Sequence, residues 1–260
     1  MTTTILLTGA AGGVGTLLRE LLPPYGYRLR LADLEPIDGA GDSLAFDLRD
    51  ADAVRDAVRG VDAVVHLGGI SLEDTFANIL GSNIEGTYHL YEACRLEGVR
   101  RVVFASSNHA VGFTPLGGDG LIGSDIPPRP DTYYGLSKVF GEGLASLYAD
   151  KYGVQTVSLR IGSCFPRPRS PRMLSTWLSP ADCARLVHAA LTAPDVGHTV
   201  VNGISANTRA WWDLTSARAL GYDPQDDAEA YAEEITAQYG DLPADHVDAR
   251  LLGGFFTQTG

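Results

Sequence analysis

From the start of the chain to about residue 203, short apolar runs alternate with longer stretches in which apolar side chains recur every three to four positions. The short runs predict β-strands over residues 5–8, 28–31, 43–46, 63–67, 101–105, 154–160 and 198–201. The longer stretches predict helices over 14–22, 51–58, 76–96, 132–152, 180–192 and 211–220. Repeated strand-helix order is the pattern of βαβ units, and right-handed crossovers wind such units into one parallel sheet with helices on both faces. Past residue 203 the alternation fades, and residues 223–234 read as an acidic helical run with a solvated face. The Pro/Gly-rich stretches 117–130 and 165–171 each follow a strand, which puts them at the carboxyl ends of the sheet, where open α/β folds bind ligands.

Composition narrows the partners. With 20 Lys+Arg against 32 Asp+Glu the net charge is −12, and no basic cluster offsets it. A polyanion finds nothing to neutralise on such a chain, which argues against nucleic acid or an anionic membrane as main partner. An anionic small molecule must then be gripped by a local Arg or Lys. Hydrophobic residues make up 45% of the 260, enough to bury a core, and no apolar run approaches the ~18 residues of a spanning helix. The opening stretch has no basic region, so no signal segment is expected. Cys94, Cys164 and Cys183 are odd in number with no C-x-x-C, which predicts no disulfide framework and a reducing cytoplasm. The six histidines lack metal-ligand spacing, so no metal site is expected.

The first strand runs into Gly9-Ala10-Ala11-Gly12-Gly13-Val14-Gly15 and then an amphipathic helix. Glycine there lets the backbone turn tightly and approach a pyrophosphate, whose charge the free N–H groups of the helix N-terminus receive. The spacing is not G-x-G-x-x-G, so the strand before it and the helix after it carry the reading. Asp33 closes the second strand 21 residues beyond Gly12, where an acid accepts hydrogen bonds from ribose hydroxyls and repels a 2′-phosphate. That favours NAD over NADP, although Arg28 and Arg30 stand nearby. Asp47-Leu48 after the third strand fits an adenine pocket, and Leu67-Gly68-Gly69 after the fourth fits close approach to the middle of a dinucleotide.

Tyr134-Gly135-Leu136-Ser137-Lys138 puts a phenol and an ammonium four residues apart, on one helix face. Leu136, Phe140, Leu144 and Leu147 form a separate apolar stripe about 200° round from Tyr134, which predicts that Tyr134 and Lys138 lie off the core face. A free phenol has a pKa near 10; a neighbouring ammonium and an oxidised nicotinamide both favour phenolate, and reaching roughly 7 takes about 4 kcal/mol. The fifth strand ends in Ser106-Ser107-Asn108, which places the Ser107 hydroxyl where it can orient a substrate hydroxyl towards Tyr134. Asn83 is a poor helix former inside the predicted 76–96 helix, which makes it a candidate for holding a water or Lys138 in a proton relay.

Together these residues resemble the extended short-chain dehydrogenases/reductases: Gly9, Gly12 and Gly15 as GxxGxxG, and Asn83, Ser107, Tyr134 and Lys138 as the catalytic tetrad. The resemblance implies a Rossmann-type doubly wound sheet, a nicotinamide cofactor, and proton abstraction by the tyrosine coupled to hydride transfer. It divides the chain into a dinucleotide-binding and catalytic core over 1–165 and a small substrate-binding region over 166–260, packed as one unit. His66-Leu67-Gly68-Gly69-Ile70-Ser71, Phe104-Ala105-Ser106-Ser107-Asn108-His109, Arg160-Ile161-Gly162-Ser163-Cys164 and Arg172-Met173-Leu174-Ser175-Thr176-Trp177 are similar to segments of the bacterial uronate dehydrogenases. That similarity implies NAD-dependent oxidation of glucuronate or galacturonate, as the cyclic sugar, at C1 to an aldarolactone. It implies substrate contacts from Ser71, Ser107, Asn108, His109, Tyr134, Ser163 and Arg172. It adds cofactor contacts from Gly13, Val14, Leu34, Ser71, Asn83, Tyr134, Lys138 and Cys164.

A uronate carries a carboxylate and a ring of hydroxyls, so its pocket needs a cation and small hydrogen-bonding side chains. Arg172 is the candidate cation, with Arg167 and Arg169 as solvent-facing rivals. A homo-oligomer is expected, with the helices over 76–96 and 132–152 as contacts. The alternatives are a nucleotide-sugar epimerase or dehydratase, which shares the tetrad but holds its nucleotide with a larger C-terminal region, and a non-catalytic NAD(H) sensor, which has no need for Tyr134, Lys138 and Ser107 together.

Overall fold

The computed structural model describes residues 2–259 apart from 38, 40 and 119. All seven segments predicted as strands form strands: β1 (Thr4–Thr8), β2 (Arg28–Asp33), β3 (Ser43–Ala45), β4 (Ala63–His66), β5 (Arg101–Ser107), β6 (Gln155–Ile161) and, after the short pair β7 (Ser163–Cys164) and β8 (Trp177–Leu178), β9 (His198–Gly203). The seven make one sheet in the order β3-β2-β1-β4-β5-β6-β9, with every pairing parallel. The chain leaves β1 towards one edge and returns at β4 on the other side, so the loops after β1 and β4 diverge and open a crevice at the carboxyl ends. Ile5, Leu6, Leu7, Val64 and Val65 are fully enclosed, as a sheet covered on both faces requires.

One face is covered by α1 (Gly13–Leu21) and, much later in the chain, α7 (Pro180–Thr192). The other is covered by α2 (Ala51–Val58), α4 (Gly86–Glu97, following the single turn α3, Phe76–Ile79) and α5 (Tyr133–Tyr152). The first of these cores contains Val157, Leu178, Leu186 and Val201, so it runs straight across residue 165. Beyond α6 (Met173–Thr176), α7 and β9, the chain ends in α8 (Thr215–Ala219), α9 (Ala232–Tyr239) and α10 (Val247–Arg250). No helix among the described residues is long and apolar enough to cross a membrane.

Three helical expectations are revised. The stretch 76–96 is not one α-helix: residues Leu80–Glu85 form a wider π-helical turn between α3 and α4, at the point where the Asn83 side chain reaches out to the Ile70 backbone. The stretch 211–220 is helical only over α8, because Trp212 is drawn into a parallel bridge with Ile122 and the Asp213 carboxylate then takes the Thr215 N–H at 2.7 Å. The acidic run becomes helical only after the Asp227 carboxylate accepts the Glu229 N–H, and Ala228, Ala232 and Ile235 then pack on Leu174 and Trp177.

The fourth revision concerns α5. Its buried side carries Tyr134, Gly135, Ser137, Lys138, Gly141 and Ala145, while Leu136, Phe140 and Leu147 are 42%, 36% and 51% exposed. Small residues decide this. A side chain on Gly141 would strike the Phe104 ring, and one on Gly135 the His109 carbonyl, so only this face can lie against the sheet. Tyr134 and Lys138 are thereby carried into the interior beside the crevice.

Candidate active site

β1 ends at Thr8, and Gly9 turns the chain with φ +67°; a Cβ there would sit 2.7 Å from the Leu67 carbonyl carbon. A Cβ on Gly15 would strike the Gly9 carbonyl, whereas Gly13 faces open space. No side chain caps α1, so the N–H groups of its first turn are free for an anion. The cradle suits a pyrophosphate. It forms one end of a cavity of about 920 Å³ that runs along the carboxyl ends of the sheet.

Of the residues expected to take part in catalysis or to contact cofactor or substrate, all but Asn83 line this cavity. Asp33 sits at the tip of β2, its carboxylate accepting from the Ala11 and Leu34 N–H groups, both at 2.8 Å. Arg28 pairs instead with Asp42, and Arg30 donates to the carbonyls of Ala57 and Arg59. Among the described lining residues, Lys138 and Arg172 are the only Lys or Arg, and neither is on β2 or the loop that follows Asp33. Asp47 accepts from the Arg49 guanidinium at 2.9 Å, and this hydrogen bond holds its carboxyl below the usual range. Across the crevice, the buried Thr8 hydroxyl accepts from Gly68 N–H and meets His66 Nδ1 at 2.7 Å. Burial, then the Lys138 charge, pushes the His66 pKa down to about 3, so it stays neutral.

Midway, α5 begins where chemistry is concentrated. The Thr132 hydroxyl accepts from Gly135 N–H, and the Glu73 carboxylate takes the Tyr133 and Tyr134 N–H groups at 3.0 and 2.9 Å. Tyr134 is buried. Burial pushes its pKa above the ordinary phenol value, a Ser107 hydrogen bond opposes this, and the Asp131 charge adds to the rise. The expected lowering of this pKa invoked the ammonium and an oxidised nicotinamide together; without dinucleotide, desolvation sets the upward direction. Lys138 Nζ lies 5.4 Å from the Tyr134 ring centroid and 5.1 Å from that of Phe104, and burial pushes its own pKa down to about 8. One turn on, Glu142 takes Arg160 at 2.8 Å and the Ser106 hydroxyl at 2.6 Å, tying α5 to β6 and β5.

At the far end lie Ser107, Asn108, His109, Ser163 and Arg172. Asn108 donates to the Leu252 carbonyl, His109 Nδ1 meets Asp131 Oδ2 at 2.8 Å, and the Ser163 and Thr176 hydroxyls share a hydrogen bond. Arg172 donates to the carbonyls of Asp248, Leu251 and Leu252, and burial pushes its pKa down to about 10. Arg167 pairs with Glu234 and Arg169 stacks on Phe165; neither lines the cavity.

Asn83 is placed differently from its expected role. Its Oδ1 accepts from Ile70 N–H and its Nδ2 donates to Ile70 carbonyl and Ser137 hydroxyl, so the side chain braces the loop after β4 against α5 without facing the cavity. The sequence reading missed Asp131, buried behind His109, and the C-terminal wall of Asp248, Gly253, Phe255 and Phe256. The only local signal was Gly253-Gly254-Phe255-Phe256, two glycines that permit close packing followed by two aromatics.

Residues 5–179 match the model of the NAD dependent epimerase/dehydratase family. The uronate dehydrogenase of Pseudomonas syringae pv. tomato is 51% identical, covering 98% of this chain and 94% of that protein. The chain belongs to the NAD-dependent epimerase/dehydratase family, among its uronate dehydrogenases. Two solved members of that group superpose on nearly every residue. The Agrobacterium tumefaciens uronate dehydrogenase, as a mutant complexed with NAD, gives a TM-score of 0.94 at 47% identity over 99% of this chain and 98% of that one. The glucuronic acid dehydrogenase of Chromohalobacter salexigens gives 0.95 at 46% identity over 100% and 98%.

Proposed function

We propose that this chain oxidises a hexuronate, glucuronate or galacturonate in cyclic form, at C1 to the aldarolactone, with NAD⁺ as acceptor. One observation carries the reading: a single cavity leads from the glycine cradle, past Tyr134 and Ser107, to the buried Arg172 guanidinium. Residues before 165 supply the dinucleotide half, and residues after it supply Arg172 and the C-terminal wall of the sugar half. NAD⁺ held in this half would supply the hydride acceptor for C1 and a positive charge that favours phenolate. Ser107 holds the C1 hydroxyl, the phenolate form of Tyr134 takes its proton and becomes phenol, and the Lys138 ammonium one turn away stabilises that phenolate beforehand. Arg172 grips the carboxylate while Ser71, Asn108, His109 and Ser163 meet the hydroxyls.

NADH formation measured with each uronate and each dinucleotide tests this. NAD⁺ supports turnover with at least one uronate, and NADP⁺ is about a hundredfold poorer in kcat/KM, since Asp33 meets the 2′-phosphate without a cation. Interconversion of a UDP-sugar with no uronate oxidation overturns the reading.

The same reading places the enzyme in the cytoplasm, which suits the three free thiols, and assembles it as a homo-oligomer through the outer faces of α4 and α5. Tyr88, Tyr133, Leu136 and Leu147 are all exposed there, at 46%, 49%, 42% and 51%. Phe140→Glu with Leu147→Glu lowers the mass by light scattering to that of a single chain; an unchanged mass places the contact elsewhere.

A further inference from the structure

The Asp131 side chain has no exposed surface. Two stretches of backbone close over it, with Gly253 N–H donating to the Gly112 carbonyl at 2.8 Å, and a Cβ on either glycine would strike the Asp131 carboxylate. One oxygen accepts from the Thr132 hydroxyl at 3.1 Å, and the other meets His109 Nδ1 at 2.8 Å. Among the described residues no Lys or Arg pairs with this carboxylate. Burying a charge so completely is costly unless its hydrogen bonds serve it well, so its partner is where its role should be sought. That partner is a ring in the cavity wall. His109 packs face against Phe256, with centroids 4.1 Å apart, and meets Tyr134 edge-on at 5.9 Å.

We propose that Asp131 is a positioning residue for the oxidation: it holds His109 with the proton on Nδ1, so that Nε2 presents a lone pair to the sugar end of the cavity as acceptor for a ring hydroxyl. The inference rests on the uronate reading for the identity of the hydroxyl-bearing ligand. Its chemistry is that of a carboxylate fixing the tautomer of an imidazole through one nitrogen so that the other is defined. An amide at 131 can donate to Nδ1 and invert the tautomer, turning Nε2 from acceptor to donor.

The same carboxylate acts on Tyr134. The charged and titratable groups around that phenol are Lys138 on its own helix, Asp131 before the helix, Glu73 from the loop after β4, His109 from the turn after β5, and Arg172 across the cavity. Asp131 opposes ionisation of Tyr134. Neutralising it therefore makes the phenol easier to ionise, and the acid limb of kcat/KM moves to lower pH even as activity falls.

The test uses the full chain with NAD⁺ and galacturonate. Asp131→Asn is expected to lower kcat/KM for the uronate about thirtyfold, leave KM for NAD⁺ within about twofold, and shift the acid limb down by about half a pH unit. A loss shared equally by both substrates, or an unmoved limb, is what a structural defect alone produces and overturns the proposal. Should that variant not fold, ¹⁵N NMR of the wild-type imidazoles decides. At about pH 8, the signal missing from His109→Gln shows Nδ1 protonated and Nε2 bare; a protonated Nε2 overturns it. Wild type that oxidises no uronate defeats the functional reading instead, and the imidazole spectrum still reports on Asp131.

Discussion

Tyr134→Phe lowers kcat for uronate oxidation by about a thousandfold while NAD⁺ binds within about twofold of wild type. The substitution removes one oxygen and keeps the ring that packs edge-on against His109 and lies near the Lys138 ammonium. The Thr132 and Glu73 hydrogen bonds that start α5 reach backbone N–H groups, so the helix start is untouched. What disappears is the group proposed above to take the C1 proton. Because burial and Asp131 both push the phenol's pKa up, the wild-type rate rises with pH as the phenol ionises, and that rise is lost in the variant. Lys138, whose pKa burial brings down to about 8, gives up its supporting charge above that pH, so the wild-type rise levels off there. Stopped-flow measurement of hydride transfer and titration of NAD⁺ separate the two effects. Retention of more than about a tenth of the activity removes Tyr134 as the base.

The sheet was legible because each buried strand is a short apolar run closed by a turn residue, and a parallel sheet buried on both faces permits little else. The cradle was legible because Gly9 and Gly15 answer to steric demands that any strand-turn-helix of that spacing imposes. The helical spacing of Tyr134 and Lys138 placed them side by side correctly, but it misassigned the buried face of α5. Leucines mark a core face only when the neighbouring element leaves room for them; here Phe104 and the His109 carbonyl demanded glycines, and Leu136 and Leu147 were left outside while Leu144 packs only partly on the core. The upward push of burial on the Tyr134 pKa in the ligand-free protein was illegible for the same reason, since desolvation depends on packing that no spacing reveals. The C-terminal wall was invisible for a different cause. Asp248 and Phe256 reach the cavity because residues 250–253 exchange backbone hydrogen bonds with 112–116, a pairing across more than a hundred residues that leaves no local pattern.

Arg172→Met separates recognition of the carboxylate from bracing of that wall. The guanidinium spends three donor contacts on the carbonyls of Asp248, Leu251 and Leu252, and it lies over the Trp211 ring at 5.0 Å. Its charge, however, meets no carboxylate at ion-pair distance among the described residues; Asp248 and Asp131 act on it only from farther off. A buried cation satisfied by neutral carbonyls keeps most of its electrostatic capacity for an incoming anion. Methionine keeps the apolar stem against Trp211 and removes the charge. The expected result is a loss of about a hundredfold or more in kcat/KM for galacturonate, carried mainly by KM, with a change of less than about fivefold for a neutral aldose. Loosening of residues 248–256 alone would weaken both sugars alike, because Phe256 packs against His109, the residue proposed to meet a hydroxyl in either case. Arg172→Lys falls between, keeping the charge but losing the planar fork that reaches carbonyls and carboxylate together. Equal losses for charged and neutral sugars would assign Arg172 to the wall and leave the carboxylate to another group.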